Sequence, residues 1–119
     1  MRVLFVDDEV ERFKEYSWNN PHHETDYAKN PYQAQRLLMS FPYDVIMLDH
    51  DLGTEMDGTG LAQWMIGNPD VAKFGVSVIC HSINEDGRKR MVEILKQRYH
   101  FVYDLPFAWK ETIYAASNR

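Results

Sequence analysis

The chain has 119 residues, 45% hydrophobic and 26% charged, a composition that fits one globular domain and excludes a disordered chain. Its net charge of −5 leaves no broad basic footprint, which argues against strong binding of duplex nucleic acid. The single cysteine, Cys80, rules out an internal disulfide, and no apolar run reaches the roughly 18 residues of a membrane span.

Met1 leads straight into Arg-Val-Leu-Phe-Val, too short an apolar stretch for a secretory leader, so a cytoplasmic domain over residues 1–119 is expected. Val3 to Val6 reads as a strand that ends in Asp7-Asp8. Residues 9–18 carry Val10, Phe13 and Trp18 at helix-like spacing. A weaker strand covers Glu24 to Ala28. Asn30-Pro31 then opens a helix, with a capping side chain followed by proline at the first helical position. Ala34, Leu37, Leu38 and Phe41 form its apolar stripe, and Pro42 stops it.

Asp44 to Leu48 is the third strand. Gly58-Thr59-Gly60 opens a helix bearing Leu61, Trp64 and Met65 on one side. Gly75 precedes a fourth strand, Val76 to Cys80. Asn84 caps a helix with the stripe Met91, Ile94 and Leu95. The fifth strand is His100 to Tyr103, and residues 107–117 form the last helix.

This alternation predicts an α/β domain of the flavodoxin-like kind, a (βα)5 three-layer sandwich around a parallel five-stranded sheet in the order 2-1-3-4-5. Runs such as Val45-Ile46-Met47-Leu48 are apolar on both faces, as strands covered on both sides must be. In such sheets the ligand sits beyond the carboxyl ends of the strands, where Asp7-Asp8, Asp49-His50-Asp51 and His81-Ser82 all fall.

Asp8 and Asp49 end neighbouring strands, and carboxylates packed together repel unless one is protonated or a cation sits between them. A hard cation held by one or two carboxylates describes a Mg²⁺ or Mn²⁺ site that takes a phosphate. Asp7, Asp8, Asp49 and Asp51 are the candidate metal ligands. Strand alternation points Asp49 and Asp51 one way and His50 the other. For one acid the plainer reading is a solvated loop. Acids at the ends of two central strands favour the metal.

Asp7-Asp8, Asp49 after its apolar strand and Ser82 after the fourth strand resemble the receiver domain of response regulators, and Tyr103 matches its strand-five aromatic. The resemblance covers essentially the whole chain. It implies a Mg²⁺ site on the acids, phosphoryl transfer to Asp49 and a Ser82 hydroxyl contact, with the family favouring Asp8 as the acid facing the cation. One departure stands out. Leu105-Pro106 falls where a receiver has Lys-Pro, and the nearest lysine, Lys110, lies a turn further on.

The blocks "LDHDLG", "GTGLAQWM" and "HSINEDGRKRM" resemble a narrower relative, the cyclic-phosphate-processing receiver family. That likeness implies a cyclic phosphate, in a nucleotide or at an RNA end, as the ligand to be hydrolysed or bound. Such a reaction needs a cation on the non-bridging oxygens, a base for water and an acid for the leaving alkoxide. With Asp49, His50 and His81 are the candidate catalytic groups, the histidines as a proton-transfer pair or as ligands that would favour manganese or zinc. Ser82, Asn84 and Arg88 are the candidate phosphate contacts, at a helix start where free N–H groups attract anions.

Two other functions fit the same residues. One is a stand-alone receiver of a phosphorelay, with Asp49 as phosphoacceptor and a protein partner on its last helix and strand. The other is a degenerate receiver that signals by binding alone.

Overall fold

The runs Val3-Leu4-Phe5-Val6 and Val45-Ile46-Met47-Leu48 offer water no polar side, so each needs cover on both faces. The computed structural model describes residues 1–72 and 75–113. It contains β1 (Arg2–Val6), α1 (Val10–Asn19), β2 (Glu24–Ala28), α2 (Pro31–Ser40), β3 (Val45–Leu48), α3 (Gly58–Gly67), β4 (Ser77–Cys80), α4 (Glu85–Leu95) and β5 (Phe101–Asp104), followed by a short 3₁₀ turn, Ala108–Lys110. The strands form one five-stranded sheet in the order β2-β1-β3-β4-β5, every pair parallel. This is the expected flavodoxin-like order.

Alternation along the central strands divides the core in two. Leu4, Val6, Ile46, Leu48, Val78 and Cys80 share one cluster with Ala34 and Leu38 of α2, Leu61 and Met65 of α3, and Met91 and Leu95 of α4. Val3, Phe5, Val45, Met47 and Ile79 share the other with Tyr16 of α1, Ala108 and Trp109. Each large aliphatic side chain among them contributes about 1.5–3 kcal/mol by leaving water. Three helices start on side-chain caps. Asn30 accepts from the Gln33 N–H at 2.9 Å, Asp57 from Gly60 at 2.9 Å and Asn84 from Gly87 at 3.0 Å.

Three expectations change. Trp18 is 85% exposed, because it lies five residues beyond Phe13, off the helical face that Phe13 shares with buried Tyr16. Phe41 lies just past the end of α2 and stays partly exposed, with the Arg2 guanidinium 4.2 Å from its ring centre. The helix expected over residues 107–117 is the Ala108–Lys110 turn instead, and residues 114–117 lie outside the described residues. Phe107 takes the left-handed backbone (φ 63°), which costs a non-glycine residue about 1–2 kcal/mol and prevents a helix from starting there.

Candidate functional site

Register places the site. Val6, Leu48 and Cys80 lie on one rung of the sheet. The ladder continues one residue further, with the Asp7 N–H on the Ala28 carbonyl, Asp49 on Val6 and His81 on Leu48, at 3.0–3.1 Å. Asp7, Asp49 and His81 therefore come level on the Phe5–Met47–Ile79 side, and all three are buried. Each offers one ligand atom within 4.8 Å of the others.

The Asp7 carboxylate has three donors. Oδ1 accepts from the Glu9 N–H at 2.9 Å and from Arg12 at 3.5 Å, and Oδ2 lies 3.0 Å from His81 Nε2. His81 stacks on Phe5 (4.9 Å between ring centres) and meets the edge of Trp109 at 5.6 Å. Its Nδ1 is buried without a partner among the described residues. A neutral ring donating through Nε2 leaves only a dry lone pair there, whereas an imidazolium would strand a charged N–H. Burial pushes the His81 pKa below its ordinary value, with Asp7 opposing.

Asp49 is pushed up to about 7, first by burial and next by the Asp7 charge. The His50 N–H, Arg12 and the Ser82 hydroxyl act in the opposite direction. A pair of buried carboxylates, one reluctant to ionise, is the electrostatic state that a divalent cation relieves. Two buried carboxylates, one of them held by the His81 N–H, fit such an ion.

Other expected residues are placed differently. Asp8 does not join this cluster. It is half-buried, with its carboxyl raised by burial and by Asp7, and the left-handed Gly53 in the β3–α3 loop comes close to it. His50 follows strand alternation to the opposite side, away from the acids. There its Nδ1 meets Asp51 Oδ1 at 2.9 Å, and its Nε2 meets Thr59 Oγ1 at 3.1 Å and Asp57 Oδ2 at 3.4 Å. Alternation would set Asp51 beside Asp49, but it ends with the strand at Leu48. The Asp51 side chain turns to His50 and to the Asn84 amide, at 3.4 Å.

Two glycines of the motif blocks lie close against His50. A methyl group at Gly87 would lie 2.4 Å from His50 Cγ, and one at Gly58 2.7 Å from its Cα. α3 and α4 thus begin against this histidine, and the three blocks meet there as a structural lock. Ser82 stays with the site through Asp49, and its Oγ also accepts the Asn84 N–H at 3.1 Å. Arg88 is tied down: NH1 donates to the Ser82 carbonyl at 2.9 Å and Nε to Asp104. It holds β4, α4 and β5 together instead of standing free for a phosphate.

One contributor had no sequence signal. Arg12, in the first turn of α1, reaches both buried acids, NH1 lying 3.5 Å from Asp7 Oδ1 and 3.7 Å from Asp49 Oδ2. Its guanidinium lies 4.9 Å from the Trp109 ring centre. Lys110, the nearest lysine to the Leu105 position, faces Glu15 at 3.9 Å.

A 2-1-3-4-5 parallel sheet with buried acids at the ends of β1 and β3 and a hydroxyl after β4 defines a receiver-like domain. Residues 2–97 match the family described as the cyclic-phosphate processing receiver domain, and the chain belongs to that family. None of the curated proteins matches it. Solved structures share the fold at low identity. The phosphorylated cyanobacterial phytochrome response regulator RcpA is 19% identical with a TM-score of 0.70, over 87% of this chain and 79% of that one. The Mn²⁺-bound response regulator Rcp1 is 20% identical with a TM-score of 0.67, over 88% and 79%. A CheY-like receiver from Methanospirillum hungatei is 16% identical with a TM-score of 0.67, over 87% and 79%. No helix among the described residues is long and apolar enough to cross a membrane.

Proposed function

We propose that this domain binds Mn²⁺ or Mg²⁺ at Asp7 and Asp49 and processes a cyclic phosphate ester there, in a nucleotide or at an RNA end. The observation that carries the reading is the buried Asp7–Asp49 pair, with Asp49 raised to about 7 and Leu105 in the receiver lysine's place. When bound, the ion polarises the phosphate and activates water.

The protein's own residues set the geometry. His81, buried and donating to Asp7, serves better to orient that carboxylate than to shuttle protons to solvent. Ser82 offers a hydroxyl beside Asp49. In the overall reaction water adds to phosphorus, one ring P–O bond breaks, and the leaving alkoxide takes a proton. His50, held on the opposite side of the sheet, has no part in it. A cytoplasmic setting suits such a ligand.

The test is incubation with Mn²⁺ or Mg²⁺ and 2′,3′-cyclic and 3′,5′-cyclic nucleotides. A monophosphate product is expected, lost in Asp7→Ala and Asp49→Ala. If no cyclic nucleotide is either turned over or bound, the proposal fails.

The Ser82 hydroxyl beside Asp49 favours a second reading, phosphoacceptance. There an Asp49 oxygen attacks phosphorus, and acetate leaves from acetyl phosphate with the bonding electrons. A one-phosphoryl adduct by intact mass, absent from Asp49→Ala, would establish it.

A further inference from the structure

Asp7 and Asp49 are buried, yet the side chain that touches both is one-fifth exposed. Among the described residues, Arg12 is the one lysine or arginine within 4 Å of either carboxylate. Its contacts, at 3.5 and 3.7 Å, are longer than the 2.7–2.9 Å of a settled charged hydrogen bond. One nitrogen reaches toward both acids, and neither receives the two-pronged pairing that arginine makes with a carboxylate it is built to hold. The flank of the guanidinium lies on Trp109, so the side chain has a second resting surface beside the acids.

We propose that Arg12 is a tethered stand-in for the divalent ion. Its guanidinium neutralises Asp7 and Asp49 while the ion is absent, gives way when the ion arrives, and then meets the phosphate as the cation that Leu105 does not provide. This rests on the reading of Asp7 and Asp49 as the ion's ligands. The other candidate cations are engaged elsewhere, Arg88 with Ser82 and Asp104, Lys110 with Glu15. Arg12 comes from α1 and not from β5, so the phosphate's positive partner would approach from the opposite flank of the site.

The experiment is a Mg²⁺ titration followed by calorimetry and by Trp109 emission, in protein carrying Trp18→Phe and Trp64→Phe so that Trp109 alone reports. Binding of Mg²⁺ to protein with Arg12 intact is expected to change Trp109 emission as the guanidinium moves. In Arg12→Met the emission change disappears and Mg²⁺ binds tighter, by about tenfold if Arg12 fills the gap nine-tenths of the time. Inorganic phosphate added at saturating Mg²⁺ is expected to bind Arg12→Met more weakly, with Arg12→Lys restoring part of the loss.

Calorimetric Mg²⁺ binding with no change in Trp109 emission would overturn the proposal without any Arg12 variant. Equal Mg²⁺ and phosphate affinities in Arg12→Met would overturn it while leaving the metal site standing. Absence of Mg²⁺ binding from both proteins would remove the site and this proposal together.

Discussion

Asp49→Asn is expected to make the metal-free domain more stable than the wild type at pH 8, with the difference vanishing by about pH 4 as Asp49 takes up its proton. The folded Asp49 pKa of about 7 lies above the unfolded 3.8, so between these values the native state binds a proton that the unfolded chain does not. Stability from this group is therefore present at low pH and lost as pH rises through the folded value. The upper bound is about 4 kcal/mol, since each tenfold change in proton affinity is worth about 1.36 kcal/mol. His81 works the other way: its lowered pKa contributes stability above the unfolded histidine value, which is lost as pH falls. Comparing the variant with the wild type at each pH removes most of that contribution. Urea midpoints at pH 4 and pH 8, with chelator present, are the measurement. Adding Mn²⁺ at pH 8 should narrow the difference, since an ion at a hundred times its Kd adds about 2.7 kcal/mol to a protein that binds it. A stability difference that ignores pH would mean that Asp49 does not titrate in this window, and the electrostatic case for a cation would go with it.

Much of this is legible in the residues because period-two alternation and parallel register are strict. Once Val3–Val6, Val45–Leu48 and Val76–Cys80 are read as adjacent strands, the residues after them must line up at one edge. Asp49 and His81 follow from that, and so does the turning away of His50, but the sequence favours Asp8 as the acid beside Asp49, where the register sets Asp7. The rule expires where the strand does. Carrying alternation past Leu48 assigns Asp51 to the metal, but a loop has no such period and the side chain turns to His50. Asp8 lies one residue beyond Asp7, where loop geometry decides.

Arg88 and Arg12 show a different gap. A helix-start arginine without an i,i+4 partner looks free for an anion, because its real partners, the Ser82 carbonyl and Asp104, are tertiary. Arg12 looks like an ordinary surface residue of an amphipathic helix. Nothing local announces that the first turn of α1 hangs over two strands distant in sequence. The motif blocks are legible as a signature. Their glycines give no hint that the shared contact is His50.

That contact sets the second large expected effect, at the two helix starts. Gly58→Ala would put a methyl 2.4 Å from the Asp49 carbonyl oxygen and 2.5 Å from Met91 Sδ. Backbone cannot swing aside, so the loss is expected at the top of the overpacking range, about 3 kcal/mol, with Asp49 displaced as well. Gly87→Ala instead meets the His50 ring first, at 2.4–2.6 Å, and this ring is pinned by Asp51, Thr59 and Asp57. Its cost should be about 2 kcal/mol in the wild type. In a His50→Ala background the obstacle is gone, and alanine's better helix propensity, worth up to about 1 kcal/mol over glycine, should make the same change neutral or favourable. Gly58→Ala should remain costly in that background, because its nearest obstacle is the Asp49 carbonyl. A double-mutant cycle by urea unfolding separates the two. Rescue of Gly87→Ala but not of Gly58→Ala would identify His50 as the wedge between α3 and α4. Equal cost of Gly87→Ala in both backgrounds would mean that the ring is not what this glycine makes room for.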